Sequence, residues 1–326
     1  MASAHDTRSI RNIALVGHAG SGKTTLIEAL LHKAGAIKTQ GSVQTKTTVS
    51  DFTEREQTLG HSLDAAVCHL DHDGASINIL DTPGYPDFMG RALSVLPAVE
   101  TSAIVVNAQT GIELVTQRMM DYAADHRLCR LIIVNKIDAE GVQLESILDE
   151  IRETFGRQCL PLNLPARQGE AVADCFFEPA DEAPDFSSVE AAHTEILDQV
   201  VELDDDLMEQ YLEQGEDISL DQLHDPFERA LRRGHLIPVC FVSAETGAGL
   251  RQLLRIISQL MPSPLEGNPP EFYSTNGEEK SFELDAGDET GHFIAHVFKV
   301  SVDPYVGRLA TFRVHQGKIR AGDQVF

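Results

Sequence analysis

The sequence predicts an α/β fold: a mostly parallel sheet flanked by helices, followed by the first strands of a second, β-rich unit. Three observations carry this. From residue 10 to residue 260, short β-branched runs alternate with segments of helical period, the pattern of a parallel sheet covered by helices. A glycine-rich stretch of the form G-x-x-x-x-G-K-[ST] falls at the first strand-to-helix junction. Proline and glycine crowd into residues 261–270, and residues 293–326 then turn to strand-like segments separated by glycine.

Taken in order, residues 12–16 (NIALV) read as the first strand and residues 23–34 as a helix stopped by Gly35. Strands follow at 63–70 and 76–80, and Asp73-Gly74 between them is a hairpin turn that gives the sheet one antiparallel edge. Further strands at 103–107, 131–135 and 238–243 alternate with helices at 112–125, 144–154 and 250–260. The interval 156–234 breaks the alternation with a proline-containing patch and an acidic loop before it becomes helical. Ser219 to Gln222 has the form of a capping box and Gly234 that of a stop, which frames a helix of about 14 residues. This interval is read as an insertion with its own small α+β fold. The expected organisation is a domain over 1–262 with an insertion at about 156–235, a linker over 263–290, and the start of a second domain over 291–326.

With 326 residues, 42% apolar and 24% charged, the chain has ample length for a core, and no apolar run approaches the ~20 residues that span a bilayer. Membrane insertion is thereby excluded as an expectation. The net charge of −25 is uneven: −3 over residues 1–138, −25 over 139–290 and +3 over 291–326. A charge of −25 ordinarily argues against any nucleic-acid partner, DNA included. Five scattered cysteines, with no CxxC, predict buried thiols in a reducing cytoplasm and no zinc site. The polar N-terminus is read as a short lead-in to a cytoplasmic protein.

Gly17-His18-Ala19-Gly20-Ser21-Gly22-Lys23-Thr24, followed by Thr25, sits directly after a strand and opens a helix, as a phosphate-cradling loop requires. Lys23 would bridge β- and γ-phosphates, and the Thr24 hydroxyl would ligate Mg²⁺. Asp81-Thr82-Pro83-Gly84 ends an apolar run, as expected of an acid that holds Mg²⁺ through water and a glycine whose N–H meets the γ-phosphate. Asn135-Lys136-Ile137-Asp138 names the base: the Asp138 carboxylate accepts N1–H and N2–H of guanine, whereas adenine would face it with a lone pair. Asn135 would brace the loop and reach N7, the Lys136 stem would lie over the base, and Ser243-Ala244 would supply a backbone donor to O6.

These motifs, in this order, resemble the GTPase superfamily. Residues 51–63 (DFTEREQTLGHSL), 81–88 (DTPGYPDF), the long insertion after Asp138, and 307–323 (GRLATFRVHQGKIRAGD) are similar to the translational GTPases, elongation factor G in particular. The resemblance implies a P-loop GTPase domain with an inserted subdomain, then the first strands of a β-barrel domain whose remainder, with three further domains, would lie beyond Phe326. It implies GTP and GDP as ligands, Mg²⁺ as cofactor, the ribosome as partner and a monomer.

Three positions depart from the family. The histidine it places after DTPG is Tyr85, whose phenol can hydrogen-bond but supplies no imidazolium charge. The aspartate of its phosphate loop is Gly20, and its I-T switch pair is His61-Ser62. Ser62 keeps a hydroxyl for Mg²⁺; His61 either takes over part of the role Tyr85 vacates or is a plain switch residue. Lys23, Gly84, Tyr85 and His61 are thus the candidate catalytic positions. The implied activity is Mg²⁺-dependent GTP hydrolysis on the ribosome that drives a translocation-like switch. A poorly hydrolysing GTP-binding regulator or scaffold, or a recycling or protection paralogue, stands as the alternative. The acidic insertion either meets the ribosomal stalk protein or is a solvated face.

Overall fold

The computed structural model describes residues 6–179, 183–214, 218–270, 272–273, 281–282, 284–303 and 305–325. Residues 1–5 of the lead-in, 180–182 of the acidic loop, and 271, 274–280 and 283 of the predicted linker lie outside the described residues. In chain order the strands are β1 (Ile10–Val16), β2 (Ala66–His72), β3 (Ala75–Asp81), β4 (Thr101–Asn107), β5 (Cys129–Asn135), β6 (Cys159–Pro161), β7 (Asn163–Ala166), β8 (Ala171–Asp174) and β9 (Ile237–Val242). Short β10 (Phe272–Tyr273) and β11 (Ser281–Phe282) precede the long β12 (Ile294–Asp303) and β13 (Gly307–Gln316). The helices are α1 (Lys23–Lys33), α2 (Glu54–Leu59), α3 (Met89–Val95), α4 (Leu114–Asp125), α5 (Leu144–Phe155), α6 (Val189–Val201), α7 (Asp205–Gln214), α8 (Leu220–Arg233) and α9 (Leu250–Gln259).

Seven strands form one sheet in the order β2-β3-β1-β4-β5-β9-β6. All its neighbours pair in parallel except β2 with β3, which are joined by the Asp73-Gly74 turn at φ +46° and +78°. β4 and β9 are buried along their whole length, which is why they read as near-continuous apolar runs. β2, at the edge, alternates buried and exposed. One face of β1, carrying Ile13 and Leu15, packs with α1 and α9; the other, carrying Ala14 and Val16, packs with α3, α4 and α5. Every cysteine is buried and unpaired, and burial pushes the Cys68, Cys129, Cys159 and Cys175 thiols up to about 12. Among the described residues no helix is long and apolar enough to cross a membrane.

One expected boundary is corrected. The strand expected at 63–70 begins only at Ala66, because the buried Glu56 carboxylate accepts the N–H groups of Leu63 (3.1 Å) and Asp64 (3.3 Å) and holds them off the ladder. The interval 156–234 carries a two-stranded sheet of its own, β7 with β8, and the helices α6 to α8, and it joins the main sheet where β6 pairs with β9. Its Leu160, Leu164, Ile196 and Phe227 share one core with Leu26 and Leu254. The helix framed by Ser219 and Gly234 is present as α8, with the capping box formed and Gly234 at φ +66°.

β12 and β13 pair as an antiparallel hairpin that meets the sheet through charge. Arg313 Nη2 lies 2.6 Å from Glu100 Oε1, and Glu100 Oε2 accepts from Asn12 Nδ2 at 2.8 Å. Desolvation pushes Glu100 above the usual carboxylate range, against the pull of Arg313. Removing only the cation should therefore cost more than removing the pair. Arg313→Met is expected to lose about 3 kcal/mol in urea denaturation, and Arg313→Met with Glu100→Gln most of it restored; equal losses in the two variants would show that the pair is solvated.

Candidate nucleotide site

β1 runs into Gly17 and α1 opens at Lys23, so the loop, the helix N-terminus with its unpaired N–H groups, and one cation are fixed together. The glycines are forced by neighbours as well as by φ. A Cβ on Gly17 (φ +138°) would lie 2.4 Å from the Val105 carbonyl oxygen, and one on Gly22 (φ +90°) 2.5 Å from Asn135 Nδ2. Lys23 Nζ donates to the carbonyls of Gly17 (2.8 Å) and His18 (2.9 Å). Gly84 comes so close that a Cβ there would sit 2.5 Å from that same Nζ. Burial lowers Lys23 to about 8, outweighing the attraction of Asp81 and Glu113. The His18 side chain faces Glu113 (Nε2–Oε1 3.5 Å), and the Ser21 hydroxyl is buried without a partner.

Beside the lysine, oxygens converge. Thr24 Oγ1 donates to Asp81 Oδ2 at 2.9 Å and lies 3.3 Å from Ser62 Oγ. Asp81 Oδ1 is buried with no hydrogen bond, close to Ser50. Desolvation pushes Asp81 up to about 6, opposed by Ser50, Lys23 and Thr24. Asp51, also buried, faces Ser62, and burial raises its pKa too. An unsatisfied carboxylate oxygen among hydroxyls is a hard, all-oxygen donor set, and it fits Mg²⁺.

At the other end, Asn135 holds three segments. Its Nδ2 donates to Ser21 O (3.0 Å), and its Oδ1 accepts from Lys136 N (2.9 Å) and Ala244 N (3.1 Å). Lys136, at φ +65°, stretches its Nζ to Gly20 O (2.8 Å) and so lies across the cavity. The Ala244 N–H, expected to face a base, is engaged by Asn135, and the Ser243 N–H by Ala248 O. Asp138 lines the same cavity of about 510 Å³ as Ala19, Gly20, Thr25 and Lys136.

His61, Ser62, Gly84 and Tyr85 line that cavity as well, and the rings of His61 and Tyr85 pack with centroids 4.5 Å apart. Gly17, His18, Ser21, Asp81 and Ser243 do not line the cavity. Sequence reasoning missed Asp51 and Glu28. Glu28, on α1 and fully buried, accepts from Gly41 N (3.1 Å) and Val49 N (2.5 Å), and so ties residues 41–51 over the cavity. Only a charged residue at an otherwise apolar helical position, between Ile27 and Ala29, signalled it.

The architecture is that of the P-loop GTPases. Residues 8–263 match the family model of the elongation factor Tu GTP binding domain, and the chain belongs to this family of translation-factor GTPases. It is 35% identical over 330 residues to an elongation factor G-like protein of Mycobacterium tuberculosis, covering 98% of this chain and 46% of that protein. An elongation factor G-like protein of Thermotoga maritima is 31% identical over 331 residues, covering 98% and 47%. A crystal structure of a Thermus thermophilus protein superposes with a TM-score of 0.81 at 35% identity, covering 97% of this chain and 47% of the other. The chain thus spans about half the length of the curated relatives it matches.

The Asp81 shift has a sign that can be measured in nucleotide-free protein under chelator. Between its ordinary value and about 6 the folded chain keeps a proton that the unfolded chain has released, so this group's contribution to stability falls as pH rises through that window. Asp81→Asn removes the titration. Its advantage in denaturation midpoint over wild type should grow from about pH 4 to about pH 6 and then level off; a pH-independent difference would show that Asp81 is solvated.

Proposed function

We propose that the chain binds GTP and GDP with Mg²⁺ and is the nucleotide-switching part of a ribosome-acting GTPase of elongation factor G type. The observation that carries this is the convergence of Lys23, Thr24, Ser62 and Asp138 on one cavity, with Asp81 bonded to Thr24 behind it. Lys23 would exchange its two loop carbonyls for β- and γ-phosphate oxygens, which restores the charge that burial disfavours. Thr24 and Ser62 would hold Mg²⁺ with Asp81 behind them through water. The bound Mg²⁺ would neutralise charge on the transferring phosphoryl group. Asp138 would accept both N–H groups of guanine, with Asn135 and Lys136 keeping its loop in place. Gly84, packed against Lys23, and Ser62 would close on the γ-phosphate, and their release after hydrolysis would free residues 43–61.

A second reading is favoured by a specific observation. Gly20, where the family carries aspartate, has open space on its side-chain face, and Tyr85 carries no charge to the mouth of the cavity. A slowly hydrolysing, nucleotide-loaded regulator uses the same geometry. His61 sits against Tyr85 and is the one imidazole among the described cavity-lining residues. The ribosome, the cytoplasm and a monomeric state follow from the family reading. The acidic face around α7 would then meet a basic protein such as the stalk protein.

Two outcomes test this. Asp138→Asn should weaken GDP binding by ~100-fold and favour xanthosine diphosphate, whose C2 carbonyl accepts from an amide; retained guanine preference would refute the base assignment. In the full-length protein, His61→Ala should slow ribosome-stimulated GTP hydrolysis while leaving GDP affinity unchanged. Equal turnover would leave His61 a plain switch residue.

A further inference from the structure

Among the described residues the acidic chain has a concentrated basic place. Arg127, Arg130, Arg229, Arg232 and Arg233 surround a second cavity of about 460 Å³, with Asn268 beside them. Arg130 is the second residue of β5, and Asn135, at the nucleotide site, ends the same strand. Five residues of strand separate the two cavities by roughly 17 Å. Three of the arginines come from the last turns of α8. Asn268 joins the walls: its Nδ2 donates to the carbonyls of Arg127 (2.6 Å) and Arg232 (3.0 Å), and its Oδ1 accepts from Arg232 Nε at 3.3 Å.

Part of this charge is accounted for. Arg229 pairs with Asp204 (3.2 Å) and Arg232 with Glu228 (3.3 Å), and cations at the end of a helix offset its dipole. Arg130 is different. It is half-buried, and its guanidinium makes no hydrogen bond or ion pair among the described residues. Burial lowers its proton affinity, and the groups that oppose this are the thiols of Cys159 and Cys129, with no carboxylate among them. Arg233, exposed, also lacks an ion pair there. The neighbourhood is shaped around Arg130, since a Cβ on Gly234 would fall 2.1 Å from its Nη2. A chain of net charge −25 has left two guanidinium groups without carboxylates at one concave place among the described residues.

We propose that this cavity binds a compact phosphate polyanion, with Arg130 and Arg233 as the guanidinium forks that grip it. A single carboxylate satisfies one fork, whereas a phosphate chain offers several charged oxygens to forks arriving from separate walls. The phosphates belong either to an RNA backbone or to a free polyphosphate ester.

Inorganic tripolyphosphate, titrated calorimetrically into the chain saturated with GDP, should bind at one site. Arg130→Gln and Arg233→Gln should each weaken it by about tenfold or more and leave GDP affinity unchanged. Retained GDP binding serves as the folding control, and exposed Arg233 provides the test if Arg130→Gln does not fold. A short RNA hairpin that competes with tripolyphosphate and is weakened by the same variants assigns the phosphates to RNA. Tripolyphosphate binding without RNA binding assigns a free ester. The proposal is overturned by no binding of either, by binding that both variants leave unchanged, or by stronger competition from a polyglutamate peptide.

Discussion

Asn135 is the joint on which the nucleotide cavity depends. One side-chain amide ties the phosphate loop through Ser21, its own loop through Lys136, and the segment after β9 through Ala244. The three segments are far apart in sequence and meet because β1, β4, β5 and β9 run parallel and end at the same edge of the sheet. All three bonds are buried or nearly so, where an unmade hydrogen bond is expensive. The same constraint explains Gly22, whose missing side chain makes room for the amide.

A second set of buried carboxylates holds the cover. Glu28 grips the backbone at Gly41 and Val49, and Glu56 grips it at Leu63 and Asp64 while completing the capping box of α2. The covering segment is thus fixed by a few charged acceptors rather than by an apolar core of its own. Its far end meets the hairpin: Lys299 on β12 donates to the carbonyl of Ala65, where the segment enters β2. Lys299 thus bonds the hairpin to the end of the covering segment, while the Arg313–Glu100 pair, joined to Asn12, holds the hairpin to β1. Local ordering and release is how a γ-phosphate is converted into movement.

What could be read in the sequence is what chemistry ties to strand ends. The phosphate loop, Asp81, the Asn135 to Asp138 loop, the Asp73-Gly74 turn and the caps of α8 are each specified by adjacent residues, so no tertiary information is needed. Glu28, Asp51 and Glu56 were not legible, because a buried acid looks like a solvated one until its partners are known, and those partners are mainly backbone N–H groups. β6 was missed because three residues ending in proline carry no periodicity, yet its pairing with β9 is what merges the insertion into the main sheet. The arginine cavity was illegible for the same reason: its members span more than 100 positions, and the segment charge they interrupt hides them.

The departures from the family pattern fall unevenly across the site. On the proposed reading Lys23, Thr24, Asp81, Asn135 and Asp138 supply the contacts to phosphates, metal and guanine, and the loop holds its shape through bonds internal to the protein. The changed positions, Gly20, His61 and Tyr85, line the same cavity, and the proposed reading sets His61 and Tyr85 beside the group that is transferred. A group that contacts ground and transition states alike sets affinity, whereas one that meets developing charge sets rate. On the proposed reading, this chain therefore separates the two: guanine-nucleotide affinity rests on retained geometry, and the rate of hydrolysis rests on the His61–Tyr85 pair. Because those rings pack on each other, moving one moves the other, and the order of the covering segment that carries His61 becomes the control on turnover.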